Sequence, residues 1–390
     1  MPVSTRISRR REPVSFALYN PVDGNTRDTA LGVDGTLTLS KANTVASPEE
    51  KFATEGLIDL QVNGFAGLDF NRPDVTAEQL DQALANMALT GVTRVLPTLI
   101  TGSPDHLEKC LSHLDRAVAQ SRLGPHMVAG YHIEGPFLSP EEGYRGAHTA
   151  KDMTRADIRL YDGLQTLAEQ PIRIVTIAPE VEGVLAMIPE LVARGITVSI
   201  GHSAANPEQI AAAVAAGASL STHLGNGLPK LLDRTSNPVF WQLAEDGLTA
   251  MFIGDGIHVP ASTLKTMLRA KGIEKSILTT DAVCAAGRDM APGMYTLGAT
   301  EIERAADGSV RIPGSVYLAG SSATMDQMLR NLVAWYDMPL AEAFMLLRDN
   351  PSRILGQEKQ RTAGVIEWKT GPDGLHADRA HIGPFTVEAE

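Results

Sequence analysis

Cysteine is nearly missing from this chain: Cys110 and Cys284 are the only two among 390 residues. Two thiols cannot build a disulfide framework, which sets aside the small stapled scaffolds and suits a reducing, cytoplasmic setting. Long apolar runs are missing too. With no stretch of ~18 apolar residues, no membrane-spanning helix is expected. The opening MPVSTRISRRREPVS carries arginines but no apolar segment behind them. It reads as a disordered basic tail over residues 1–13 and not as a secretory signal. Positive charge is in short supply overall. Lys and Arg number 34 against 46 Asp and Glu, a formal net charge of −12. Nucleic acid and anionic membranes are therefore poor partners, whereas a small-molecule substrate remains open because the local field of a site decides its charge preference. No internal repeat or low-complexity tract stands out.

What is present is a regular alternation. Residues 14–55 break into short strand-like pieces with turns, as in YNPVDGN and GVDGTL. From residue 56, apolar strands alternate with amphipathic helices, the pattern of βα units on a parallel sheet. Eight strands are expected near 57–62, 92–98, 127–133, 172–178, 196–201, 218–222, 249–254 and 276–280. Helical stretches such as TAEQLDQALANMALTG (76–91) and NPEQIAAAVAAGA (206–218) separate them. Thr76 with Gln79 matches a capping box, and Gly91 and Gly217 stand where helices stop. Eight such units predict an α/β fold, a (β/α)8 TIM-like barrel over 56–362. Residues 14–55 and 363–390 are expected to join in a small β-sandwich domain. In such a barrel the chemistry lies at the C-terminal ends of the strands.

Polar residues collect at those ends. YHIEGPFL brings Glu134 to the third, VSIGHSAA His202 to the fifth, LSTHLGNG His223 to the sixth, GDGIHVP His258 to the seventh and LTTDAV Asp281 to the eighth. Singly, each has a bland reading: a histidine beside an apolar strand is usually structural, and an aspartate after a strand is usually a helix cap. Together, a glutamate and two histidines suit a divalent ion and leave a coordination position for water. Asp281 then stands as general acid/base. The first strand ends in GLIDLQVNGFAG, where Gln61 and Asn63 point to one side. Many metal hydrolases have two histidines at this spacing. Neutral amides are poor zinc ligands, so these two read either as strand-end caps or as hydrogen-bonding partners behind the ligands.

The motifs GLIDLQVNGFAG, HIEGPF, GHS, THLGNG, DGIHV, TDA and LAGSSATMDQMLRNLV, in this order over roughly residues 56–356, resemble the N-acetylglucosamine-6-phosphate deacetylases of the amidohydrolase superfamily. The resemblance implies metal-dependent removal of an acetyl group from an amino sugar by a homodimer. It implies that Glu134, His202 and His223 are metal ligands and that Asp281 is the catalytic acid/base. It gives His148, in GYRGAH, the role of polarising the acetyl carbonyl. Substrate contacts would come from Ala147, His148, Asn226, Gly227, His258 and the stretch Leu318, Ala319 and Gly320. Arg234, eleven residues after His223, would reach the substrate phosphate of the neighbouring subunit. Some members carry the Q-x-N pattern and use one metal, which implies one divalent ion per subunit here. Zinc is the default, and Fe2+, Mn2+ and Co2+ also suit the set.

The loop after the sixth strand departs from the family pattern. The family usually reads F-N-A-M there, with E-P-G after the arginine. This chain has HLGNGLPKLLDRTSNPVF, with Gly225 and Gly227 in place of an aromatic and a small side chain. An unphosphorylated N-acetyl sugar, another N-acyl compound or a cyclic amide therefore stays open as substrate. Arg234 is either an anion contact or a solvated surface residue, and Lys230 is a second candidate. A non-catalytic sugar-binding protein is the reading from a different class. It is disfavoured because a binder has no need of a metal set and a general base together.

Overall fold

The protein is described by a computed structural model covering residues 4–21, 23–43, 51–356 and 364–390. Eight parallel strands form one sheet, each bonded to the next in chain order. They are Leu57–Val62, Val92–Ile100, Tyr131–Glu134, Ile172–Ile177, Thr197–Ile200, Leu220–Ser221, Thr249–Phe252 and Ser276–Leu278. Both faces are covered, which is why these segments read as almost unbroken apolar runs. The first and eighth strands meet just beyond the regular pairing. Val62 bridges Ala282 in parallel, Asn63 N donates to Ala282 O at 2.7 Å, and Asp281 N donates to Gln61 O at 2.9 Å. Behind this seam the fully buried Asp59 accepts from Thr279 Oγ1 at 2.7 Å, Thr280 Oγ1 at 2.6 Å and Thr280 N at 3.1 Å. The barrel is thus closed by a carboxylate that ties strand to strand.

The expected capping box forms at Thr76/Gln79, and a second one, not anticipated, forms at Asn206/Gln209. The third strand starts later than the apolar run predicts, at Tyr131 and not near 127. Gly124–Met127 instead makes a helical turn, with Pro125 in its first positions. Proline there has its φ preset for a helix, and a short apolar run does not by itself separate strand from buried helix.

The terminal segments form a second sheet of eight strands. Its order is Thr5–Arg9, Phe385–Ala389, Gly374–Ile382, Val365–Gly371, Lys51–Glu55, Val14–Asn20, Asn25–Leu31 and Leu37–Asn43. The 1–13 tail expected to be disordered is therefore corrected. Thr5–Arg9 pairs antiparallel with Phe385–Ala389 along its whole length, and Ile7 packs on the hydrophobic core. Backbone pairing at a sheet edge orders the segment, and sequence composition does not report an edge in need of a partner. Residues 1–3, 44–50 and the expected boundary at 362/363 lie outside the described residues. Trp368, fully buried, anchors this sheet to the barrel through its ring, which lies edge-on to Phe344, while its Nε1 donates to Thr54 Oγ1 at 2.8 Å on the adjacent strand of the same sheet.

After the eighth barrel strand the chain makes a three-stranded antiparallel sheet, Gly293–Leu297, Thr300–Arg304 and Val310–Arg311, that the sequence reading does not anticipate. Among the described residues no helix is long and apolar enough to cross a membrane.

Candidate active site

Glu134, His202 and His223 come from three different strand ends, all are buried, and their ligand atoms lie within 4.8 Å of one another. Glu134 Oε1 is 3.1 Å from His223 Nε2 and 3.5 Å from His202 Nε2. Ligands on a tetrahedral ion with bonds of ~2.0–2.1 Å stand ~3.3 Å apart, so the spacing fits a small divalent cation. The electrostatics agree. Burial alone would raise the Glu134 carboxyl, but hydrogen bonds from His202 and His223 hold it well below the usual range. Burial works against a charge on His223 too, yet the Glu134 carboxylate holds its pKa above the ordinary value. A buried carboxylate that favours a proton on His223 marks a site short of positive charge, which a metal would supply while releasing that proton.

The ligands are aimed from behind. His202 Nδ1 lies 2.7 Å from Tyr144 O, which turns Nε2 toward Glu134. Its ring is flanked by two glycines at positive φ, Gly146 (55°) and Gly227 (61°). A Cβ on Gly146 would come within 2.9 Å of the ring, and one on Gly227 within 2.7 Å. The turn after His202 is pinned by Glu180, which accepts from Ser203 Oγ at 2.7 Å and Ala204 N at 2.6 Å. His202, His223 and Asp281 all have positive φ themselves, at 49°, 27° and 50°. Such backbone is costly for residues with side chains and persists where surroundings over-determine it.

The strand-one amides touch the carboxylates. Gln61 Nε2 donates to Glu134 Oε1 at 3.0 Å and Asp281 Oδ1 at 3.2 Å, and Asn63 Nδ2 donates to Asp281 Oδ1 at 2.7 Å. Burial, with Glu134 nearby, pushes Asp281 up to about 6, against the opposing pull of His223 and of the Asn63 amide. Above this floor opens a cavity of about 450 Å³. Ala147, His148, Asn226, Gly227, His258, Leu318, Ala319 and Gly320 line it together with Asn63, Glu134, His202, His223 and Asp281. Gln61 lies behind the floor. Arg234 does not line the cavity; it is exposed on the loop after the sixth strand.

Several partners escaped the sequence reading. His148 Nδ1 is 2.9 Å from Thr101 Oγ1, and burial beside His202 pushes its pKa down to about 3, so it is neutral. His258 Nδ1 is 2.7 Å from Asp255 Oδ2. Burial would raise Asp255, but bonds from His258 bring it below its ordinary value. The i,i+3 spacing within GDGIHV was the available signal for that pair. Thr101, Tyr144 and Glu180 act across the fold and leave no local signature.

No protein-family model matches the chain. The N-acetylgalactosamine-6-phosphate deacetylase of Escherichia coli O157:H7 is 34% identical over 302 residues, 77% of this chain and 77% of that protein. The N-acetylglucosamine-6-phosphate deacetylase of Homo sapiens is 34% identical over 348 residues, 86% of this chain and 82% of that protein. A solved structure of a mutant N-acetyl-D-glucosamine-6-phosphate deacetylase from Mycobacterium smegmatis, in complex with N-acetyl-D-glucosamine-6-phosphate, superposes with a TM-score of 0.80 at 27% identity. It covers 95% of this chain and 97% of its own. A (β/α)8 barrel with a buried Glu-His-His set beside a buried aspartate at its strand ends defines an amidohydrolase. The chain belongs to the N-acetylglucosamine-6-phosphate deacetylase family.

Proposed function

We propose that the protein hydrolyses N-acetylglucosamine 6-phosphate to glucosamine 6-phosphate and acetate, with one divalent ion, zinc by default, held by Glu134, His202 and His223. The observation that carries this is the joining of the ligand set to a general base: one amide, Gln61 Nε2, touches both Glu134 and Asp281. When bound, the ion lowers the pKa of a coordinated water toward ~7 and draws charge from a carbonyl. Asp281 takes the proton of the attacking water and returns it to the leaving nitrogen. Gln61 and Asn63 both donate to Asp281 Oδ1, which leaves Oδ2 to handle that proton. His148 donates from Nε2 to the acetyl oxygen, its other nitrogen held by the Thr101 hydroxyl. Asp255 fixes His258 with Nε2 toward the sugar, and Ala147, Asn226, Gly227 and Leu318–Gly320 shape the rest of the pocket.

We also propose a homodimer. Leu231 and Phe240, 91% and 51% exposed, flank the exposed Arg234. Large apolar side chains beside an arginine with no role in its own pocket suit a surface that packs on a second copy, with Arg234 serving the neighbour's substrate.

The relatives' names include both gluco and galacto sugars, so the test uses both. Acetate release is measured for N-acetylglucosamine and N-acetylgalactosamine, each with and without a 6-phosphate, on metal-loaded protein. The 6-phosphorylated gluco sugar should be cleaved fastest. No acetate from any of the four would refute the reading.

A further inference from the structure

The cavity carries its charge in two tiers. Its acidic lining residues are Glu134 and Asp281, the ligand and the base on the floor. Its lysine and arginine lining residues are Lys230 and Arg311, one each, the first on a loop and the second on a short strand. In a chain of net charge −12, a rim with two cations and no carboxylate among its described residues marks a place for an anion.

The two cations come from separate parts of the chain and are held by different means. Lys230 follows Pro229, which packs so closely on Gly143 that a Cβ there would meet Pro229 Cα at 2.5 Å. Arg311 belongs to the short strand Val310–Arg311 of the antiparallel sheet that follows the barrel. Its Nη1 donates to Val316 O at 3.0 Å, and Val310 O accepts from Ala319 N at 3.0 Å. One edge of the guanidinium is thereby used to fix it, and the rest of its planar fork of donors is left for a ligand.

We propose that Lys230 and Arg311 form an anion subsite within a single chain, which takes the 6-phosphate of the sugar and sets the preference for it over the unphosphorylated sugar. The subsite presupposes the deacetylase activity proposed above. Its chemistry is complementary: Arg311 offers parallel N–H donors to two phosphate oxygens, and Lys230 adds a compact charge on a flexible stem. A lone subunit can then grip phosphate whatever the partner's arginine adds. Because both groups sit at a wet rim, the grip should weaken as salt rises.

The experiment measures kcat/KM for N-acetylglucosamine with and without the 6-phosphate, in wild type, K230A, R311A, the double variant and R234A. Circular dichroism confirms that each is folded. The ratio of phosphorylated to unphosphorylated kcat/KM should fall about tenfold in K230A and in R311A, mostly through KM, and further in the double variant. It should also fall with added salt in wild type and be nearly flat in the double variant. A ratio unchanged in K230A, R311A and the double variant, or one that collapses only in R234A, overturns the subsite. Wild type with no preference for the phosphorylated sugar shows its failure before any substitution is made. That result overturns the proposed substrate and the subsite with it.

Discussion

His202 is held on both flanks by residues that have no side chain. Gly146 and Gly227 let the backbone pass against its ring, each in the left-handed region that glycine occupies without strain. Gly227→Ala adds a methyl group at 2.7 Å from the ring together with an unfavourable φ, and the ring has to give way. Metal affinity should fall ~10–100-fold, the scale seen when support for a ligand is lost. Competition with a chelator reads it directly, and an unchanged affinity would show that the ring is not confined this way. Asp281 calls for a different expectation. Asp281→Asn keeps shape and one acceptor but cannot carry the proton, so metal content should stay near normal while kcat drops at least ~10²-fold. Near-normal kcat would pass the role of base to another group, with His258 first in line.

At the scale of elements, Asp59 fastens the barrel seam. Asp59→Ala leaves Thr279, Thr280 and the Thr280 amide without their acceptor in the core. It should cost ~2–4 kcal/mol of stability, as expected for a buried hydrogen-bond network broken on one side. Asp59→Asn should cost less. Denaturant unfolding checks both, and an Ala variant as stable as wild type would mean that the seam is held by backbone pairing alone. Most barrel strands were legible because burial on both faces writes a continuous apolar run, as in Leu57–Val62. The site was legible for the same reason, since Glu134, His202, His223, His258 and Asp281 each break such a run at its end. The polar segment GMYTLGATEIERAADGSVRIPG was not read as a sheet, because an antiparallel ribbon at a pocket mouth has little core to bury. Arg311 was missed with it. Glu180, Thr101 and Tyr144 were missed because they meet the catalytic residues only through the fold, from positions that look like ordinary loop chemistry.

For the whole molecule, the one-metal proposal rests on the amides at the end of the first strand. Gln61 and Asn63 spend their N–H donors on Glu134 and Asp281, and their remaining neutral amide oxygens are poor ligands for a second ion. Protein reconstituted with excess metal should retain about one tight equivalent per chain by elemental analysis, and two would be incompatible with this assignment. Light scattering should report twice the mass of one chain, and a monomer at assay concentration would remove any contribution of Arg234 across subunits.

The terminal sheet has a consequence for biosynthesis. Lys51–Glu55 has Val365–Gly371 as its antiparallel partner, and among the described residues Thr5–Arg9 pairs only with Phe385–Ala389. At ~5–20 residues per second, the roughly 300 residues between the first pair take a ribosome about 15–60 s to make. Throughout that interval the early strands carry open hydrogen-bonding edges, which in a crowded cell invite pairing with other nascent chains. The barrel, built from neighbours in sequence, can close in the meantime, and the sheet is completed only once Val365–Gly371 and Phe385–Ala389 have been made.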